Sequence, residues 1–188
     1  MRARLWLLPL LLAALVGAGA AVAEPIGAHW ELSPFGGFTM FDPKLRYPGT
    51  DLPLADDLYM GGRLSYETRS WAGLEIAAGT TPTAQDIASG ALEYDFFHAS
   101  GNFVISPAKS RWGTPYAFVG GGYVQLKPSS GIKKETGSIE FGGGVKMWMT
   151  DAIGLRFEAR DISFKPLETV GSQNNFHNLV LGAGLTLA

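Results

Sequence analysis

The chemistry open to this 188-residue chain is narrow, because cysteine is absent and His29, His98 and His177 are its three imidazoles. Without cysteine there is no disulfide staple, thiolate metal site or thiol nucleophile. One histidine stands two residues before a serine, in His98-Ala99-Ser100. On a strand that spacing puts both side chains on one face, so the imidazole can act as a base toward the hydroxyl if a third group orients it. No glutamate follows before Glu135 to supply that group. A second pattern is richer in charge: Arg156, Glu158 and Arg160 alternate with Leu155, Phe157 and Ala159. Charges of both signs on one face suit either a gated ion path or a structural ion-pair network. The chain shows no phosphate loop, metal cluster or cofactor motif, and no cofactor is expected.

A period of two means a β-strand, since successive side chains point to opposite faces. The same split recurs along the chain and predicts strands at 30–41, 58–67, 71–80, 91–106, 115–127, 136–149, 153–164 and 177–188. The connections run long, short, long, medium, long, short, long, with 42–57 and 81–90 as the first two long ones. Strand 91–106 changes phase near Phe96-Phe97, where a β-bulge is expected because one inserted residue shifts the parity. In strand 115–127 the parity that puts Tyr116, Phe118, Gly120, Gly122, Val124 and Leu126 outward is the one adopted.

An even number of roughly ten-residue strands, with short turns on one rim and long loops on the other, fits a transmembrane barrel. The charged set must then face the lumen, since an Arg or Lys on the lipid face near the midplane costs about 2–4 kcal/mol. Parity assigns Glu31, Arg63, Glu75, Glu140, Lys146, Arg156, Glu158 and Arg160 to that lumen. An eight-stranded barrel is just wide enough for side chains to fill, and buried charges must pair. The expectation is therefore a polar plug with Arg156, Glu158, Lys146 and Glu140 near its middle; a small-solute channel is the alternative. Aromatic residues near strand ends suit interfacial girdles. Trp30, Tyr66, Trp112 and Tyr116 are assigned to the short-turn side, and Phe41, Tyr94, Phe96 and Phe164 to the other, although Phe41 and Phe164 have inward parity.

Arg2 and Arg4, an apolar run from Leu5 to about Val16 and the Ala21-Val22-Ala23 ending read as a secretory signal cleaved after residue 23. That leaves one domain, 24–188. Because Arg2 and Arg4 lie in the leader, the mature chain is two units more negative than the −2 of the whole sequence. A mildly acidic chain with scattered Lys and Arg is no nucleic-acid binder, since phosphate binding needs a clustered basic face.

The Pro115-Tyr116 strand start followed by Gly120-Gly121-Gly122, the Gly154 to Arg160 strand, and Gly182, Leu185 and Leu187 in the last strand resemble the OmpA-like outer-membrane β-barrel superfamily. That resemblance covers about residues 28–188 and implies an all-β, eight-stranded antiparallel up-and-down barrel in the cell outer membrane. It further implies outer-membrane lipid and the insertion machinery as partners, and a monomer. Larger members carry a periplasmic peptidoglycan-binding domain after the barrel, a function not carried over to this chain. The His98/Ser100 pair is similar to that of lipid A deacylases of the outer membrane, where it works with a Glu. Past the expected bulge, however, its face is the lumen, out of reach of an acyl chain, so a lumen-lining polar pair is preferred and no enzymatic activity is expected. The resulting reading is a structural or surface-interaction barrel whose long loops, with Asp56-Asp57 and Lys133-Lys134, offer the place for an extracellular ligand. A soluble lipocalin-like binder is the remaining alternative, and would require Leu155, Phe157, Val145 and Leu181 to line the inside.

Overall fold

The computed structural model describes residues 27–45, 54–87, 90–108, 110, 113–129, 133–150, 152–165 and 175–188. The leader and Trp112 lie outside these residues. Eight strands follow one another: β1 (His29–Met40), β2 (Asp57–Glu67), β3 (Ala72–Ile87), β4 (Gly90–Ile105), β5 (Thr114–Pro128), β6 (Lys134–Trp148), β7 (Ile153–Phe164) and β8 (Phe176–Leu187). Each pairs antiparallel with its sequence neighbour, and β8 closes on β1 through pairs such as Gly36↔Ala183 and Phe38↔Leu181. Closure leaves no unpaired sheet edge.

The two parities of the strands meet different surroundings. Leu74, Ile76, Val119, Ile139, Phe141 and Phe157 are exposed on the outer wall, whereas Arg156 and Arg160 are fully buried inside it. An apolar set turned outward and an ionised set turned inward is the reverse of a soluble cup. The lipocalin-like alternative fails on this point, because Leu155 is half-exposed and Phe157 and Leu181 are exposed on the outer wall.

Three expectations are corrected. Strand β4 has no bulge: it pairs without interruption with β3 and, from Tyr94 to Ile105, with β5. The apparent phase change arose because Tyr94 and Phe96 are apolar yet point inward, in line with His98, Ser100 and Asn102. In β5 the faces are inverted, since Tyr116, Phe118, Val124 and Leu126 are buried inside while Val119 and Tyr123 are exposed. Both sets of that strand are apolar, so hydrophobicity could not choose between them. Finally, 81–87 continues β3 and pairs with β4 out to Ile87↔Gly90, so most of the segment read as a long connection is a hairpin.

Inward aromatics and inward glycines fit each other across the ladders. A Cβ on Gly144 would collide first with the Phe157 carbonyl oxygen and stand 2.7 Å from Tyr116 Oη, one on Gly142 would collide first with the Ala159 carbonyl oxygen and stand 2.7 Å from Phe118 Cζ, and one on Gly79 would collide with Oη, Cζ and Cε2 of Tyr59. The rings of β5 thus lie over positions of β6 that carry no side chain and that the β7 backbone also closes. Gly144→Leu is therefore expected to lower stability by about 1–3 kcal/mol through overpacking. Gly101→Ala, outward where a Cβ meets nothing within 4 Å, is expected to be near neutral. Urea unfolding in lipid vesicles checks both.

Candidate functional site

The lumen is built in two storeys. The lower one, toward the short turns and the termini, is ionic, and the upper one is mainly apolar. Glu158 is the hub of the ionic storey: it accepts from Arg63 Nη2 at 2.6 Å, Arg156 Nη2 at 2.8 Å, Arg160 Nε at 3.0 Å and Tyr116 Oη at 2.8 Å. Glu75 meets Arg156 Nη1 at 2.8 Å and Arg160 Nη2 at 3.0 Å, and accepts from Ser65 Oγ at 3.2 Å. Glu140 receives Arg160 Nη1 and the Ser100 hydroxyl, the latter at 3.0 Å. Three guanidiniums thus face three carboxylates, and this matching offsets the desolvation that makes buried charge expensive. The guanidiniums also lie on ring faces, Arg63 3.8 Å from the Phe35 centroid, Arg156 4.4 Å from Tyr116 and Arg160 4.5 Å from Phe118. Charge and ring quadrupole attract at such distances.

A separate ionic group lies nearer the rim. Lys146 Nζ donates to Glu31 at 2.7 Å and to Glu67 at 2.6 Å, and His29 Nε2 stands 3.1 Å from the other Glu31 oxygen. Tyr116 is near both groups, its ring centroid 5.6 Å from Lys146 Nζ and 4.4 Å from Arg156 Cζ.

All eight residues expected in the lumen are buried there, but their arrangement differs from the expectation in one respect. Arg156, Glu158 and Glu140 belong to the middle group, whereas Lys146 does not. The physical reason is its ladder partner: Lys146 stands directly opposite Arg156, and like charges facing each other across a ladder repel. The flexible lysine stem turns toward the rim, where Glu31 and Glu67 receive it. Two members were missed. Glu67 already had inward parity, and the single lysine facing Glu31 could have drawn attention to it. Tyr116 was lost with the inverted faces of β5.

His98 and Ser100 do face the lumen, and Glu140 approaches both from two strands away. His98 Nε2 is 3.6 Å from Glu140 Oε1, and neither ring nitrogen of this fully buried side chain has a hydrogen-bond partner among the described residues. The Ser100 proton goes to Glu140 and not to the imidazole. The Tyr59 ring closes over His98 at 5.6 Å.

The upper storey is mainly apolar, with the Thr39–Thr81 hydroxyl pair and Asn178 as buried polar members. Phe96, Phe164 and Phe176 are buried in it with Phe41, and Leu45 and Leu54 from the first connection close it from above. Phe41 packs edge-on to Phe96 at 5.2 Å, and Phe96 lies 6.1 Å from Phe164. Phe41, Tyr94, Phe96 and Phe164 are therefore interior packing and not an interfacial girdle, and Tyr116 likewise leaves the other girdle. For the first four the reason is that these strands continue past the ionic storey into a mainly apolar one, which their rings fill. Trp30 is exposed on the outer wall with Tyr66 beside it, ring centroids 5.1 Å apart.

Residues 8–186 match the model of the outer membrane protein beta-barrel domain family. Outer membrane protein Omp38 of Acinetobacter baumannii is 28% identical over 149 residues, which is 71% of this chain and 39% of that protein. The chain thus spans about two-fifths of the length of the curated relatives it matches. Among solved structures, Neisserial surface protein A aligns over 86% of this chain and 99% of its own with a TM-score of 0.64 and 14% identity. Ail of Yersinia pestis, solved with the heparin analogue sucrose octasulfate, aligns over 86% and 100% at 0.54 and 12% identity. The N-terminal barrel domain of Pseudomonas aeruginosa OprF aligns over 84% and 96% at 0.51 and 14% identity. These likenesses are of fold.

Proposed function

This chain belongs to the outer membrane protein beta-barrel domain family, and from that premise we propose that it is a closed, non-conducting barrel of the outer membrane with a structural or surface-interaction role. Its location in the outer membrane follows from the family. The observation that carries the closed reading is the filling of the lumen: Arg156 and Arg160 in the lower storey and Phe96 and Ile162 in the upper one have no solvent exposure. A network of paired charges resists ion entry because an arriving ion must displace partners already in contact, and the rings above offer it no hydration.

Residues 1–23 are the leader removed on export, 24–188 form a barrel domain, and the insertion machinery of the outer membrane assembles it as a monomer. Its interactions with the outside run through the long loops, whose ligand the residues do not name. No enzymatic step is assigned. A lipid A deacylase would have to bring an ester to Ser100, but that hydroxyl is spent on Glu140 inside the wall, and lipid A incubated with the protein is expected to keep its ester-linked chains.

Planar bilayer recordings test the closed reading. Protein inserted at low density is expected to give no steady channel of porin size, and a sustained conductance of that size in the unmodified protein overturns the proposal.

A further inference from the structure

At the short-turn rim, hydrogen-bond geometry bears on the charge of His29. Its Nδ1 lies 2.6 Å from the Gly27 carbonyl oxygen, and its Nε2 lies 3.1 Å from Glu31 Oε1. A carbonyl and a carboxylate only accept, whereas a neutral imidazole has one donor and one acceptor. A neutral ring would therefore point a lone pair at an oxygen, while a ring protonated on both nitrogens donates to each. Glu31 is a poor source of the missing proton, because its other oxygen accepts from Lys146 Nζ at 2.7 Å, and a charged donor favours the ionised carboxylate.

Without that proton the rim is one positive charge short. Three guanidiniums face three carboxylates in the middle group, but at the rim Lys146 alone faces Glu31 and Glu67. The other charged or titratable groups nearby are engaged elsewhere. On β7 Arg156 meets Glu75 and Glu158, on β5 Tyr116 donates to Glu158, and Arg69, in the turn after β2, lies against Gly27. The inner face of β8 carries no ionisable residue. An imidazolium at His29 makes the rim two against two, which is what burial of charge demands.

We propose that His29 is an imidazolium and that its proton sets a latch across the short-turn mouth of the lumen. Charged, it completes an ionic group that ties β1 and β2 to β6, a strand with which neither of them pairs. Trp148, two residues beyond Lys146 on β6, packs edge-on against the imidazole at 6.2 Å. Neutral, the ring turns a lone pair on Glu31 and leaves one ammonium for two carboxylates. His29 is then the member free to leave, since its side chain is 15% exposed against 1% for Glu31. The partners on both nitrogens are gained only by the folded chain, so the stability this proton contributes is complete in mild acid and lost as pH rises. Imidazoles titrate near neutral pH, where carboxylates, lysine and arginine ordinarily keep their charge, so the response belongs to His29 within this group.

Nitrogen NMR of the imidazole rings in lipid nanodiscs tests this, with His29→Gln identifying the signal. At about pH 7 both ring nitrogens of His29 are expected to carry protons, and Glu31→Gln is expected to leave the ring mainly neutral at that pH, as a free imidazole is. Urea unfolding in vesicles reads the latch itself. The unmodified protein is expected to unfold at higher urea than His29→Gln at about pH 6, and the two are expected to coincide at about pH 8.5. Taking the difference between these two proteins removes the contributions of His98 and His177, which both retain. A ring with one proton at about pH 7, an unchanged ring in folded Glu31→Gln, or an advantage over His29→Gln that does not shrink between the two pH values would each overturn the proposal. Should Glu31→Gln fail to fold, the ring of the unmodified protein and the urea comparison decide without it.

Discussion

Replacing Glu158 by leucine is expected to lower the unfolding free energy by about 3–5 kcal/mol, the range for breaking a buried ion pair from one side. Glu158 receives Arg63, Arg156 and Arg160 together, so its loss leaves three buried guanidiniums facing Glu75 and Glu140 alone. Water cannot restore the balance cheaply, because the side chains above and below fill the lumen. Urea titration in lipid vesicles, followed by tryptophan fluorescence, reads the change. Adding Arg63→Met in the same chain is expected to recover part of the loss, since it removes one of the uncompensated cations. A loss below about 1 kcal/mol in the single variant, the size typical of a solvated surface pair, would mean that the network is hydrated and the plug is porous.

Placing a charge on the opposite face gives a second large effect with the same physical origin. Phe157→Arg is expected to cost about 2–4 kcal/mol, and Leu187→Arg, at the rim, about 0–1 kcal/mol, because the penalty follows depth in the hydrocarbon. On β7 the outward apolar set runs from Ile153 to Ala159 and stops at Asp161, which places Phe157 within the hydrocarbon belt. Refolding yield and urea unfolding in vesicles measure both variants. Equal cost at the two positions would remove the depth dependence on which the outward assignment of Phe157 rests.

These two experiments concern the strand that was most legible from sequence. In β7 the outward residues are apolar from Ile153 to Ala159 and the inward ones ionised from Arg156 to Arg160, so one periodic pattern sets strand, parity and solvent at once. Strands β4 and β5 lack that contrast. Tyr94, Phe96, Tyr116 and Phe118 are aromatic and inward, and a rule that equates inward with polar misreads each of them. For Tyr94 and Phe96 the cause is that the lumen changes from ionic to apolar partway along its length, and a sequence pattern carries no depth coordinate; Tyr116 and Phe118 lie within the ionic storey, where their ring faces receive Arg156 and Arg160. Information bearing on β5 was present in its neighbour: Gly142 and Gly144 carry no side chain on the inner face of β6, and the β5 rings lie over them. Lys146 shows a different limit. Its inward parity was legible, but its partners depend on the ladder register that sets it against Arg156, and register is fixed by the assembled barrel. The nearness of Glu140 to His98 and Ser100 likewise spans two ladders and has no trace in linear spacing.

The interlock between rings and glycines restricts how such a barrel can diverge. At Gly144 and Gly142 a side chain would meet the carbonyl oxygens of Phe157 and Ala159 on β7 as well as the Tyr116 and Phe118 rings on β5, so these positions of β6 are held from both sides. Shrinking a ring on one ribbon does not by itself admit a side chain on the next, because the backbone of the ribbon beyond still stands in the way. Chimeras between this chain and a distant homologue should accordingly tolerate the transfer of the three adjoining ribbons together, whereas a ribbon exchanged singly would bring either a collision or a hole.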